Sequence, residues 1–176
     1  MRKLFFVDLF AGCGGLSLGL ENAGFVPVFV NELNHDAMET YLKNRDVHYP
    51  KLRKLYHTYN VKDMVLREYY LDDLAAGFKR DYKIDVSKGG LDLLVGGPPC
   101  QGYSGIGHRR SYSVEKKQIP SNYLYQDMAY IVSRLRPKIF LFENVRGLLY
   151  SRWTNTGTKG EIFQDVLVHL EYNKPL

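Results

Sequence analysis

The chain has 176 residues, 45% hydrophobic and 24% charged, the length and make-up of one globular domain able to bury a sizeable core. A formal net charge of +5 is compatible with a polyanionic partner without requiring one. No apolar run reaches the ~18 residues of a membrane span. Cys13 and Cys100 are too few for a disulfide framework and lack a metal-type C-x-x-C spacing.

The opening MRKLFFVDLFAGCGG superficially resembles a signal peptide. Asp8 interrupts its apolar run, however, and no small-residue cleavage site follows. We read KLFFVDLF (3–10) as the first strand of a cytoplasmic domain, running into the glycine loop AGCGG. LSLGLENAG (16–24) follows as a helix closed by Gly24 in the left-handed cap position. FVPVFVNE (25–32) is a second strand, ending on an acid. HDAMETYLKNR (35–45) has Ala37, Tyr41 and Leu42 on one helical face. Residues 46–62, aromatic and basic, show no period and receive no assignment.

Residues 63–78 have helical spacing in Met64, Leu71, Leu74 and Ala75. Leu91, Leu93, Leu94 and Val95 form a nearly continuous apolar run, the pattern of a strand covered on both faces. GGPPC follows at once, then a polar loop over 102–121. YLYQDMAYIVSRLR (123–136) is helical until Pro137, KIFLFEN (138–144) is a buried strand, and GEIFQDVLVHL (160–170) is a helix. The densest basic stretches, 43–54 and 108–117, read as loops, either solvated or touching phosphate.

Strands alternating with helices predict an α/β domain over residues 1–176, with a mostly parallel sheet and helices on both faces. Ligands of such sheets lie beyond the carboxyl ends of the strands. Those ends carry F-A-G-C-G-G, Asn31-Glu32, Pro-Pro-Cys and Glu143-Asn144, so they define a candidate site. Gly12, Gly14 and Gly15 permit a tight turn and close ligand approach. Ser17 breaks the G-x-G-x-x-G fingerprint, which disfavours an NAD-dependent dehydrogenase. Glu32, at the end of the second strand, is placed to hold both hydroxyls of a ribose. Together they argue for a nucleoside-bearing cofactor. Cys100 alone reads either as part of a tight turn or as a nucleophile aimed by Pro98-Pro99. None of the five histidines has metal spacing, and no metal is expected.

The blocks DLFAGCGG, NELNHDA, GGPPCQGYS and FLFENVRGL stand in the order and rough spacing of the cytosine-5 DNA methyltransferases. The chain resembles that family from Asp8 to about Leu170. The resemblance implies a Rossmann-like, S-adenosyl-L-methionine-dependent fold acting on double-stranded DNA. It makes Cys100 the nucleophile at carbon 6 of a flipped-out cytosine, and Glu143 a protonated acid at ring nitrogen 3, a state that burial would favour. Phe10, Ala11, Gly12, Gly14, Gly15 and Leu16 would surround the cofactor, Glu32 its ribose and Leu33 its adenine. The family often has an aromatic residue where Leu33 stands. An Asp–apolar pair reads the adenine edge: Asp63-Met64, with Asp85-Val86 as competitor.

Gly97, Pro99 and Leu124 would complete the cofactor pocket. Gln101 and Ser104 would meet DNA phosphate or the flipped nucleotide, Arg109 and Arg110 phosphates. Asn144 would brace its strand end and Cys13 be structural; Trp153 would serve packing. The family's later blocks and target-recognition domain are not found here. That predicts a sheet without its final strands, an exposed apolar surface, and poor transfer by this chain alone. A second polypeptide would complete a split enzyme, or the chain is a truncated part of a longer one. A transfer-RNA cytosine-5 methyltransferase and a non-catalytic cofactor or DNA binder are the alternative readings.

Overall fold

The computed structural model describes residues 2–99, 119–154 and 156–172. Among these, strands β1 (Leu4–Leu9), β2 (Phe25–Asn31), β3 (His57–Thr58), β4 (Leu93–Gly96) and β5 (Ile139–Phe142) form one sheet in the order β3-β2-β1-β4-β5. Every pairing in it is parallel. The helices are α1 (Gly15–Asn22), α2 (His35–Lys43), α3 (Pro50–Leu55), α4 (Val61–Leu66), α5 (Tyr70–Tyr82), α6 (Leu124–Leu135) and α7 (Glu161–Tyr172). The strand order reverses between β1 and β4, the crevice where doubly wound sheets bind ligands. No helix among the described residues is long and apolar enough to cross a membrane.

Side chains alternate across each strand, and β1 is central, so both of its faces are covered. Phe6 packs with Leu93, Val95 and Leu20 of α1. Val7, Leu9 and Leu94 belong to the larger core, with Leu74 and Phe78 of α5 and Met128, Ile131 and Leu135 of α6. The α6–α7 seam is a separate apolar cluster of Tyr125, Ala129, Ile162 and Val166, and Trp153 is buried in it, stacked on Tyr123 with ring centroids 5.0 Å apart.

Three boundaries differ from the sequence reading. The helix expected over 63–78 is two helices, because Arg67 leaves helical geometry and Tyr69 takes a left-handed φ of 64°. The unassigned segment 46–62 holds α3 and β3, six and two residues long, too short for a hydrophobic period to show. The strand read at 91–95 begins at Leu93. Ahead of it the Asp92 carboxylate accepts from Phe5 N at 3.1 Å and Lys138 Nζ at 2.7 Å, joining the amino ends of three strands.

On β5 the burial is one-sided. Ile139 and Leu141 are 65% and 44% exposed, while their register neighbours Leu93 and Val95 are 8% and 0% exposed. Phe140 and Phe142 on the opposite face pack against the core. Among the described residues, one apolar face of this strand is bare.

Candidate functional site

The site begins where β1 stops. Phe10 turns the chain with a left-handed φ of 59°, costly for a residue with a Cβ and characteristic of functional turns. Ala11 N then donates to Asn31 O at 3.0 Å, and Gly14 N to Ala11 O at 3.0 Å. Gly14 has a φ of 91°, and a Cβ there would lie 2.6 Å from Tyr41 Cδ2 and 2.7 Å from Arg45 Nη1. No side chain fits. A Cβ on Gly12 would meet nothing within 4 Å, so that side of the loop is open.

Glu32 faces this loop. Its Oε2 accepts from Gly12 N at 2.8 Å and its Oε1 from Asn34 N at 2.7 Å. Two backbone donors thus fix the carboxylate, and each oxygen keeps acceptor capacity for a diol. Leu33 is exposed beside it, as is Leu16 at the start of α1. Phe10, Ala11, Gly12, Gly14, Gly15, Leu16, Glu32 and Leu33 therefore lie along the neighbouring ends of β1 and β2, where the sequence placed them.

The two adenine-edge candidates lie in different places, one ahead of β4 and one in the first turn of the helix after β3. Asp85 caps the short 3-10 turn Val86–Lys88 ahead of β4, at the amino edge of the sheet. Asp63 lies inside α4 with its carboxylate 3.2 Å from Arg67, and Met64 is buried in the core. Two residues past the carboxyl end of β3 stands Asn60, which caps α4 by accepting from Lys62 N at 3.0 Å. Asn31 Nδ2 ties the two strand ends together, donating to Thr58 O at 3.0 Å and Tyr59 O at 2.9 Å. Asn60 has no place in the sequence reading, because the two-residue strand before it shows no hydrophobic period.

Across the crevice, β4 runs into Gly97-Pro98-Pro99. Asn144 Nδ2 donates to Pro98 O at 3.1 Å, and its Oδ1 accepts from Val145 N at 2.9 Å. The amide of one strand end thereby holds the approach to Cys100 from the next. A Cβ on Gly97 would fall 2.7 Å from Glu143 Oε2, so the missing side chain leaves room for that carboxylate. Glu143 is exposed. The burial expected of a proton-donating carboxyl is thus not supplied by the described residues. Leu124, half-buried, opens α6 against the core, and buried Asn122 lines a small cavity with Pro98, Pro99 and Asn144. Cys100, Gln101, Ser104, Arg109 and Arg110 lie outside the described residues.

Of the basic stretch 43–54, three members are committed to ion pairs rather than presented to a phosphate. Arg53 is held by Glu39 at 3.0 Å and Asp46 at 2.8 Å, Lys51 lies 3.5 Å from Asp81, and Arg45 is 2.6 Å from Glu21. Arg45 belongs to a buried network beneath the glycine loop. There Ser17 Oγ donates to Asp8 Oδ2 at 2.5 Å, and the Tyr41 hydroxyl lies 2.8 Å from Ser17 Oγ. Burial pushes the Asp8 carboxyl up to about 7, against the opposing pull of Ser17 and Arg45 and with small additions from Glu32 and Glu21.

Comparison with known proteins agrees with this architecture. Residues 4–173 match the C-5 cytosine-specific DNA methylase family. The chain is similar to type II methyltransferase M.AgeI of Thalassovita gelatinovora, 34% identical over 81% of this chain and 28% of that protein. Type II methyltransferase M.FnuDI of Fusobacterium nucleatum is 33% identical over 94% of this chain and 37% of its own length. Among solved structures, a prophage-encoded E. coli protein assigned as a DNA modification methyltransferase superposes with a TM-score of 0.61 at 28% identity, over 97% of this chain and 38% of the other. The Entamoeba histolytica methyltransferase EhMeth shares the fold, with a TM-score of 0.55 at 17% identity over 98% of this chain and 45% of its own. The chain spans only 28% and 37% of the length of these two curated relatives, and it belongs to the C-5 cytosine-specific DNA methylase family.

Proposed function

We propose that this chain is the cofactor-binding and nucleophile-bearing part of an enzyme that methylates carbon 5 of cytosine in DNA. One observation carries the reading. In a member of this family, a diol-ready carboxylate clamped to an open glycine loop faces, across the β1–β4 crevice, a braced Pro-Pro turn beside an acid. S-adenosylmethionine, when bound, supplies an electrophilic methyl group. Gly12 and Glu32 would hold its nucleoside, with Leu16 and Leu33 offering apolar surface.

The chain's own residues divide the remaining work. The Cys100 thiolate forms a bond to carbon 6 of a cytosine turned out of the duplex. Glu143, as the acid, hydrogen-bonds ring nitrogen 3, where the displaced electron pair accumulates. Covering by the flipped base would give Glu143 the dry surroundings that the described residues do not. Carbon 5 takes the methyl group and then loses its proton to a base. Those electrons re-form the carbon 5–carbon 6 double bond and expel the Cys100 thiolate. Asn144 keeps the Pro98 carbonyl, and so the nucleophile's approach, in place.

The bare face of β5 fits a further polypeptide segment, in the same chain or a second one, that covers Ile139 and Leu141 and reads the DNA. The test is transfer of labelled methyl from S-adenosylmethionine to duplex DNA, by this chain alone and mixed with a polypeptide carrying the family's later blocks. Transfer that requires both the mixture and Cys100, and is lost in Cys100→Ser, supports the proposal. Transfer that survives Cys100→Ser refutes it.

A further inference from the structure

The glycine loop rests on residues that the catalytic reading does not use. Arg45, just past α2, is buried. Its Nε donates to Glu21 Oε1 at 2.7 Å, Nη1 to Tyr41 O at 3.1 Å and Nη2 to Gly14 O at 3.2 Å. The same guanidinium lies 3.9 Å from the centroid of the Tyr41 ring. That ring occupies the space a Gly14 side chain would need. From the hydroxyl of Tyr41 the chain of contacts continues through Ser17 to Asp8. Residues of β1, α1 and α2 thus meet under one glycine.

We infer that Tyr41 and Arg45 are positioning residues for cofactor binding, holding Gly14, and with it the loop, in its ligand-ready shape from below. The inference rests on the reading of that loop as the cofactor site. Its physical basis is the loop's strain. With left-handed turns at Phe10, Gly12 and Gly14, the loop needs outside support to persist in one shape. A carbonyl hydrogen bond from a buried, charge-neutralised guanidinium and a ring filling the Cβ space provide it. A loop already ordered loses less entropy when it binds, which is the usual gain from preorganisation.

The network also contains a titrating group, the Asp8 carboxyl, which burial pushes up. Burial first, and then the Asp8 carboxylate, push the Tyr41 phenol above its ordinary range, so Tyr41 keeps its proton. With Asp8 ionised, Ser17 donates to Asp8 and Tyr41 donates to Ser17. With Asp8 protonated, the direction of both bonds can reverse. The charged groups facing Asp8 are Arg45, Glu21 and Glu32, with Ser17 as its direct hydrogen-bond partner. Glu32 is itself the ribose candidate, which links the state of Asp8 to the ligand side of the loop.

The experiment is calorimetric titration of S-adenosylhomocysteine into the wild-type chain, Tyr41→Phe, Arg45→Lys and Arg45→Met, from about pH 5.5 to about pH 8.5. Melting curves run alongside. Tyr41→Phe keeps the ring and removes one hydrogen bond, so affinity should fall about fivefold. Arg45→Met should cost more than about tenfold, and Arg45→Lys should recover part of that. The pH midpoint of affinity should also move upward in Tyr41→Phe, because the phenol no longer supports ionised Asp8 through Ser17; a purely structural role would lower the melting temperature without moving it. Should Arg45→Met fail to fold, Tyr41→Phe and Arg45→Lys decide. Wild-type affinity and pH midpoint retained in the folded variants would overturn the inference alone. Absence of saturable binding by the wild-type chain would overturn the cofactor reading itself, and this inference with it.

Discussion

The two sides of the β1–β4 crevice are built differently. On the β1–β2 side the polar groups are already engaged with one another: Glu32 on Gly12 and Asn34, Arg45 on Gly14 and Glu21, Ser17 on Asp8. On the β4–β5 side Asn144 braces Pro98, but Glu143 is exposed and, among the described residues, the neighbouring apolar face of β5 is bare. The first side is preorganised by the chain itself. Among the described residues, the second is braced but not covered. If the proposed function holds, cofactor binding and methyl transfer should separate cleanly between the two sides.

The largest expected separation is at Glu143. Glu143→Gln keeps the size and the contact over Gly97 but cannot supply a carboxyl proton, so transfer should fall about a thousandfold. Cofactor affinity should stay within about twofold, since no partner of the glycine loop changes. Transfer is measured in the completed enzyme and affinity in this chain. A parallel loss of both would mean that the two sides are one unit.

Gly14→Ala tests the other side. The new methyl would sit 2.6 Å from Tyr41 Cδ2, on a residue with φ of 91°. Left-handed strain and overpacking together cost ~3 kcal/mol, about a hundredfold if all of it appears in cofactor affinity. Gly12→Ala provides the contrast, having similar backbone strain but no collision within 4 Å; its loss should be about tenfold smaller. Equal losses in the two variants would show that strain, not the Tyr41–Arg45 floor, governs the loop.

A smaller effect is expected at Gly97. Its new methyl would meet Glu143 Oε2 at 2.7 Å, the free end of a side chain that can swing aside. Melting temperature should then be nearly unchanged while transfer drops about tenfold, less than the roughly hundredfold that a full ångström of misplacement can cost, because the side chain can swing back. Unaltered transfer in Gly97→Ala would remove the carboxylate position seen here from the argument.

Much of this arrangement was legible in the sequence because it depends on strand ends. Gly12 and Glu32 are twenty residues apart and meet because two parallel strands deliver them to one edge. The Tyr41–Arg45 floor was not legible. It joins Gly14 to a residue thirty-one positions away, and the helical period marks Tyr41 only as apolar surface. Asn60 was hidden behind a two-residue strand. Arg45, Lys51 and Arg53 look like a basic loop in sequence, since their partners Glu21, Asp81 and Glu39 lie outside the stretch. The exposure of Glu143 depends on what covers a strand, and an apolar strand reads as buried whether or not its cover belongs to the same segment.

The last prediction concerns stability, and it isolates the preorganised side. Asp8 is held near 7 in the folded chain against an ordinary value of 3.8, so the folded state keeps its proton longer than the unfolded state does. The sign follows from that difference. Below the unfolded value both states are protonated, and the full stability is present. As pH rises between the two values only the unfolded state releases the proton, and stability falls by about 1.4 kcal/mol per pH unit. Above the folded value the loss levels off. Asp8→Asn keeps an acceptor for Ser17 and removes the titration. Denaturant unfolding of wild type and Asp8→Asn at about pH 5 and about pH 6 should therefore diverge by ~1 kcal/mol in favour of the variant at the higher pH. Parallel curves would mean that Asp8 is ionised throughout, with Ser17 and Tyr41 donating toward it at every pH, and the network would then be a fixed brace with no proton to exchange.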